Sequence, residues 1–242
     1  MKKLALVAAL VLASSAAAAQ SLDLNALLPA GGAATTGRIV QVLVVLTVLS
    51  IAPGLLITVT SFTRFAIALS FLRTGLGVQS TPANLVVISL ALFMTFYVMT
   101  PTFSQAWDGG LKPLMENKIG EAEAFDRISG PFRDFMISHV RDKDVRLFED
   151  LTRRRTPGAK EELALQVLIP AFMISELRRG FEIGFLIVLP FLVIDLIVSI
   201  LTMAMGMMML PPTTLSLPVK ILFFVLIDGW NLLVGSLIRS YS

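Results

Sequence analysis

Five of the eleven methionines, Met203, Met205, Met207, Met208 and Met209, fall within seven residues. Thioether side chains are unbranched and polarisable, so a run of them suits an irregular, yielding contact better than a ligand site of fixed geometry. Gly206 precedes the triple run and Leu210, Pro211 and Pro212 follow it, which places the run at a hairpin tip rather than in a helix interior. Two uses fit such a tip. The methionines can fill an irregular core, or they can meet their counterparts from other subunits in a constriction that excludes water by dewetting. No histidine or cysteine accompanies the sulfurs, which argues against a copper site.

The second set of reactive groups consists of charges set in apolar sequence: Glu176, Arg178, Arg179, Glu182, Asp195, Lys220, Asp228 and Arg239. An ionised side chain at the centre of a bilayer costs about 2.5 to 3.5 kcal/mol on insertion scales, so these groups must face partners or water. Glu176 and Lys220 have opposite charges and can serve one another, within a chain or between chains. Asp195 and Asp228 are candidates for buried polar contacts, by capping, by hydrogen bonds between helices or by binding a proton. His139, the single histidine, reads as a helix-surface or interface residue. Without cysteine there is no disulfide framework, thiolate metal site or cysteine nucleophile, and one histidine makes no zinc cluster. No nucleophile elbow, paired-carboxylate motif or Walker phosphate loop occurs either. Catalytic residues, metals and cofactors are therefore all expected to be absent, and the chain reads as a structural or transport protein rather than an enzyme.

The elements that must carry these groups are apolar. Of 242 residues, 55% are hydrophobic and 15% charged, and the mean hydropathy is +0.81, which together indicate membrane residence; with the helix-length uncharged runs, the expected class is an all-α membrane protein. Met1, Lys2 and Lys3, an apolar run from Leu4 to Ala13, and small residues through Ala17 and Ala19 have the three-part form of a cleavable signal peptide, residues 1–19. Without Lys2 and Lys3 the net charge falls from +3 to +1, too balanced for a nucleic-acid surface. Residues 20–37 read as a flexible lead-in. There are 25 uncharged residues between Arg38 and Arg64 and 34 between Arg73 and Asp108, each enough for a bilayer-length helix of ~20 residues. With the glycine- and proline-bearing loop Arg73 to Pro82, residues 38–107 form an apolar helical hairpin, kinked near Pro53-Gly54 and Pro101.

Residues 108–162 carry 11 basic and 12 acidic side chains and read as a mixed-charge helical insert. Pro131 suits a helix first turn, Asp142 and Asp144 favour another helix start, and Thr156-Pro157-Gly158 ends the region. Phe132, Phe135, Met136, Val140, Leu147, Phe148 and Leu151 recur at helical spacing, giving a stripe that packs either within the insert or against copies of the chain. Residues 163–242 read as roughly two apolar helical hairpins that include the methionine-rich loop. The signal peptide sets residue 20 outside the cytoplasm, so two crossings return the insert to the periplasmic side. Its basic residues oppose this only weakly, because a nearly neutral segment of this length translocates largely regardless of charge.

The stretch Pro170-Ala-Phe-Met-Ile-Ser-Glu-Leu-Arg-Arg-Gly-Phe-Glu-Ile-Gly184 resembles a signature of the FliP family of flagellar export proteins. So do Arg73-Thr-Gly-Leu-Gly-Val-Gln, Pro131-Phe-Arg-Asp-Phe-Met and Gly206-Met-Met-Met-Leu-Pro-Pro212, in the same order. The resemblance implies a pore subunit of the flagellar type III protein-export gate in the bacterial inner membrane, at the flagellar basal body, with much of its mass at the periplasmic side. It implies a helical ring of five copies assembled with FliR and FliQ, alongside other export components, lipid and unfolded protein substrates. Met207, Met208 and Met209 match the family's gasket around the export path, and Glu176 and Lys220 match an ion pair between neighbouring subunits. Alternatives are an injectisome export-gate subunit, made less suitable by the signal peptide, and a small-solute transporter coupled through Asp195 and Lys220.

Overall fold

Arg64 closes one long uncharged run of the sequence and Arg73 opens the next, but neither bounds a helix. The first helix, α1, is Phe62–Leu76 and contains both. It stops at Gly77, whose left-handed φ of 76° ends the helical path and whose N–H reaches the Thr74 carbonyl at 3.0 Å. The loop expected from Arg73 onward thus starts four residues later. The computed structural model describes residues 57–78, 84–152, 163–206 and 211–241, with Leu43, Leu46, Thr47, Ser50 and Gly54. The signal peptide, the lead-in, Pro53 and Met207 to Met209 lie outside the described residues.

The chain divides at Pro53, and the unit from Gly54 onward holds all the helices discussed here. After α1 come α2, Asn84–Ala106, a π-helical turn, Trp107–Leu111, and α3, Lys112–Met115. These join into one 32-residue rod, Asn84–Met115. The insert supplies α4, Glu121–His139, and α5, Asp142–Thr152. Pro131 lies inside α4 instead of opening a helix. Its upstream half is anchored at Gly110 of the π-turn, where an added Cβ would lie 2.4 Å from Ile128 Cγ1. That close packing extends the helix through a residue that costs one backbone hydrogen bond.

The largest departure from the sequence reading is α6, Leu165–Ala204. Where a hairpin was expected, one 40-residue helix runs through Pro170, Pro190 and five charged residues. The bend comes later: α7, Pro212–Leu226, and α8, Gly229–Arg239, meet at 65°. Asp228 takes a left-handed φ of 51° at this corner. Gly229 is required there, since a Cβ would fall 2.3 Å from the Phe224 ring.

Asn84–Met115 and Leu165–Ala204 are long and apolar enough to cross a membrane, and the bent pair α7–α8 makes a third candidate. At 1.5 Å per residue the two rods reach roughly 48 and 60 Å, beyond the ~30 Å hydrocarbon core.

Two cores hold the helices. Phe65, Leu69 and Leu72 of α1 pack with Phe191 of α6, Phe224 of α7 and Leu237 of α8. Phe135, Met136, Val140 and Val145 of the insert pack with Val167, Leu168 and Phe172 of α6 and Met99 of α2. The insert's apolar stripe is therefore largely spent on α6 and α2 of its own chain, leaving Leu147 and Leu151 exposed. α1 and α6 run parallel: Arg64 lies opposite Glu176, Ile67 opposite Gly180, Phe71 opposite Gly184 and Gly75 opposite Phe191. Glycines on the facing stripe let the two backbones approach, as small residues do between membrane helices.

Candidate functional site

The turn of α6 at Ser175 and Glu176 is where three parts of the chain are fastened. Glu176 projects toward α1, where Arg64 meets it in a two-pronged pair. Arg64 Nε donates to Oε2 at 2.9 Å and Nη2 to Oε1 at 2.5 Å, with both side chains fully buried. The remaining donor arm of Arg64, Nη1, reaches the carbonyl and hydroxyl oxygens of Ser240, each at 2.9 Å. The Tyr241 ring lies 3.6 Å from the guanidinium carbon, and its hydroxyl donates to Glu176 Oε2. A planar cation with a fixed fork suits a buried carboxylate, and stacking on an aromatic face covers the guanidinium where hydrogen bonds cannot. Burying the two charges is tolerable because both are multiply satisfied.

One residue earlier, Ser175 joins the insert to α6. Its Oγ donates to Asp144 Oδ2 at 2.6 Å and accepts the Arg141 backbone N–H at 3.1 Å. Arg141 closes the set by a fork onto Asp144, Nε to Oδ2 and Nη2 to Oδ1, both 2.9 Å. The Arg141 hydrogen bonds hold the Asp144 carboxyl below the usual carboxylate range; burial opposes the shift and the Ser175 bond adds to it. α5, which begins at Asp142, is thus docked onto α6 through the Asp144 carboxylate in its first turn.

Farther along α6, Lys220 of α7 donates to Asp195 Oδ2 at 2.6 Å and to the Gly75 carbonyl at 3.0 Å. Lys220 is 7% exposed and Asp195 33%. The contact ties α6 and α7 to the last turn of α1, where the Gly75 carbonyl is among those a helix end leaves without an intrahelical partner. Asp195 Oδ1 is buried without a partner among the described residues.

Of the residues singled out in the sequence, Glu176 and Lys220 are not brought together within one chain; Arg64 and Asp195 hold them separately. Asp195 accepts from Lys220 within the chain. Asp228 does not become a buried contact in the chain. It is exposed at the start of α8, with no side-chain capping bond, while its carbonyl accepts from Asn231 and Leu232. Of the methionines, Met203 and Met205 are 61% and 71% exposed at the end of α6, just before a left-handed turn at Gly206. His139 stands half-buried beside the Tyr241 ring, 5.0 Å away. No group of three metal-binding side chains occurs among the described residues.

Arg64 and Tyr241 were the residues that sequence reasoning missed. Arg64 had been read as a boundary, although Glu176 in an apolar run signals a buried cation somewhere. Nothing local to Tyr241 marks it.

A model of the FliP family matches residues 45–237. The chain is 58% identical to a flagellar biosynthetic protein of Rhizobium meliloti over 235 residues, 96% of each chain. It is 49% identical to one of Caulobacter vibrioides, covering 99% of this chain and 89% of the relative. The corresponding Bacillus subtilis protein is 51% identical over 84% of this chain and 91% of its own length.

Proposed function

The chain belongs to the FliP family, a flagellar biosynthesis protein with membrane-crossing helices, and from that premise we propose that it is a pore subunit of the flagellar protein-export gate. In this reading several copies, five by resemblance, close a ring with FliR and FliQ and pass unfolded flagellar subunits across the inner membrane. Relatives named as flagellar biosynthetic proteins favour flagellar use over an injectisome.

The observation that carries the reading is the family match over residues 45–237, a range that includes the methionine run. That run falls in the connection between Ala204, the last residue of α6, and Pro212, the first of α7. A gate for substrates of differing sequence needs a seal that deforms, and thioethers provide a non-directional one. Support for an assembly comes from the surface. Leu186, Leu192, Val193, Leu196, Ile197 and Ile200 are exposed along α6, and only 11% of its most apolar window is buried. Lipid or neighbouring subunits must cover such a face. With the signal peptide setting the topology, the insert lies at the periplasmic side. Pairing of Glu176 with a neighbour's Lys220, which the family resemblance implies, would require each to leave a partner in its own chain.

The test is simultaneous replacement of Met207, Met208 and Met209 by alanine, with export of flagellar subunits and ion conductance measured in the same cells. Leakage should rise or export change. Normal values for both would defeat the gasket.

A further inference from the structure

We infer that Tyr241 is a strap through which the mixed-charge insert controls water access to the buried Arg64–Glu176 pair. The pair joins two parallel helices of the apolar part, yet one whole face of it is closed by a single side chain that follows the last turn of α8. The ring covers the guanidinium at 3.6 Å, the hydroxyl occupies Glu176 Oε2, and Ser240 beside it takes the last arm of Arg64. The backbone N–H groups there bond over short range, Ser240 to the Ser236 carbonyl and Tyr241 to the Ile238 carbonyl, so the long-range backbone tie at this point is the Ser240 carbonyl on Arg64 itself. What presses the ring down comes from elsewhere. Phe65 of α1 meets its edge at 5.4 Å, while α4 supplies two rings, Phe135 stacked at 5.9 Å and His139 at 5.0 Å.

α4 belongs to the polar insert, outside the candidate spans, whereas Arg64 and Glu176 belong to α1 and α6. A displacement of α4 unloads the strap before it touches the ion pair. Because a buried charge pair is tolerated only while it stays fully satisfied, loosening the strap changes the hydration of the α1–α6 contact. Tyr241 thus couples the insert to the ion pair alongside the Ser175–Asp144 contact and the shared core, independently of what passes through the assembly.

The experiment is labelling of the full chain in its native membranes with a water-soluble carbodiimide and taurine, scored by mass spectrometry at Glu176. Exposed Glu121 on α4 serves as the internal standard. Glu176 should be protected in the unaltered chain. Tyr241→Ala should raise its labelling roughly ten- to a hundredfold, the range for removing a buried donor to a charged group. Tyr241→Phe, which keeps the ring and loses the hydroxyl, should fall between and serves if the alanine variant does not accumulate. His139→Ala should raise labelling while Tyr241 is intact, and add less or nothing when combined with either Tyr241 variant. The strap is refuted if Glu176 labels like Glu121 in the unaltered chain, or stays protected in both Tyr241 variants. The coupling is refuted if His139→Ala multiplies labelling equally with and without an intact Tyr241.

Discussion

A methyl group at Gly184 of α6 would sit 2.6 Å from Cγ of Phe71 on α1, well inside contact distance. One turn earlier, at Gly180, the nearest atom is Ile67 Cβ at 3.1 Å, a gap that a small shift relieves. The two glycines therefore differ in tolerance although both lie on the same stripe. Gly184→Ala should destabilise the α1–α6 contact by about 1 to 3 kcal/mol, the usual range for overpacking, and Gly180→Ala by less. Thermal unfolding of the purified assembly in detergent measures both. Phe71→Ala, which removes the obstructing ring, should recover part of the Gly184→Ala loss, and failure to do so would mean the clash is not the cause.

Glu176 accepts from both prongs of Arg64 and from Tyr241 while fully buried. Removing one partner of such a pair typically costs ~3 to 5 kcal/mol because the other charge is stranded. Glu176→Ala should therefore lower the amount of folded chain, and Arg64→Met should do so comparably. Exchange of the charges, Arg64→Glu with Glu176→Arg, should restore more than Glu176→Lys with Lys220→Glu does. Accumulation of chain and assembly, compared on native gels, decides between them. Rescue by the Lys220 exchange alone would show that the pair formed between subunits dominates.

The helical class and the candidate spans were legible because apolar runs of bilayer length leave few alternatives. Boundaries were not, for one physical reason repeated three times. Arg64 ends the uncharged run that starts after Arg38, yet with Glu176 opposite it the guanidinium sits inside α1. The charges from Glu176 to Asp195 suggested a broken hairpin in the same way, although Arg178 pairs with Glu182 one turn on, at 2.7 Å, and Asp195 with Lys220. Pro131 suggested a helix start, and packing at Gly110 overrode it. Each misreading treated as local a cost that a distant partner offsets. Asp195 and Lys220 were recognisable as groups needing partners, while the partner of Glu176, 112 residues away, was not.

Asp144 provides the pH dependence. Its carboxyl is held down mainly by the Arg141 hydrogen bonds, so its folded value lies below its unfolded one. Stability from this group is complete above the unfolded value and is lost as pH falls through the folded value, below the ordinary carboxylate range. Docking of α5 onto α6 should accordingly loosen in acid and not at neutral pH. Hydrogen exchange across Asp142–Thr152 should rise at low pH in the unaltered chain. In Asp144→Asn it should already be raised at pH 7 and respond less to acid; an unchanged acid response would assign the effect to another group.

Lys220 makes two contacts at once, so its removal and that of Asp195 should not be equivalent. Lys220→Met strands the Gly75 carbonyl and leaves Asp195, whose Oδ1 has no partner among the described residues, with neither oxygen held by the lysine. Asp195→Leu leaves the buried Lys220 ammonium its bond to the Gly75 carbonyl, so one partner remains where Lys220→Met removes both contacts. Lys220→Met should thus be the more damaging single change. Combined with Asp195→Leu it should be less damaging than alone, since replacing both members of a buried pair by apolar groups avoids the stranded charge. A double-mutant cycle on thermal stability of the assembly reads this directly. Strict additivity of the two changes would mean that the 2.6 Å contact does not act as a pair. A larger loss for Asp195→Leu than for Lys220→Met would mean that the aspartate has a partner beyond this chain.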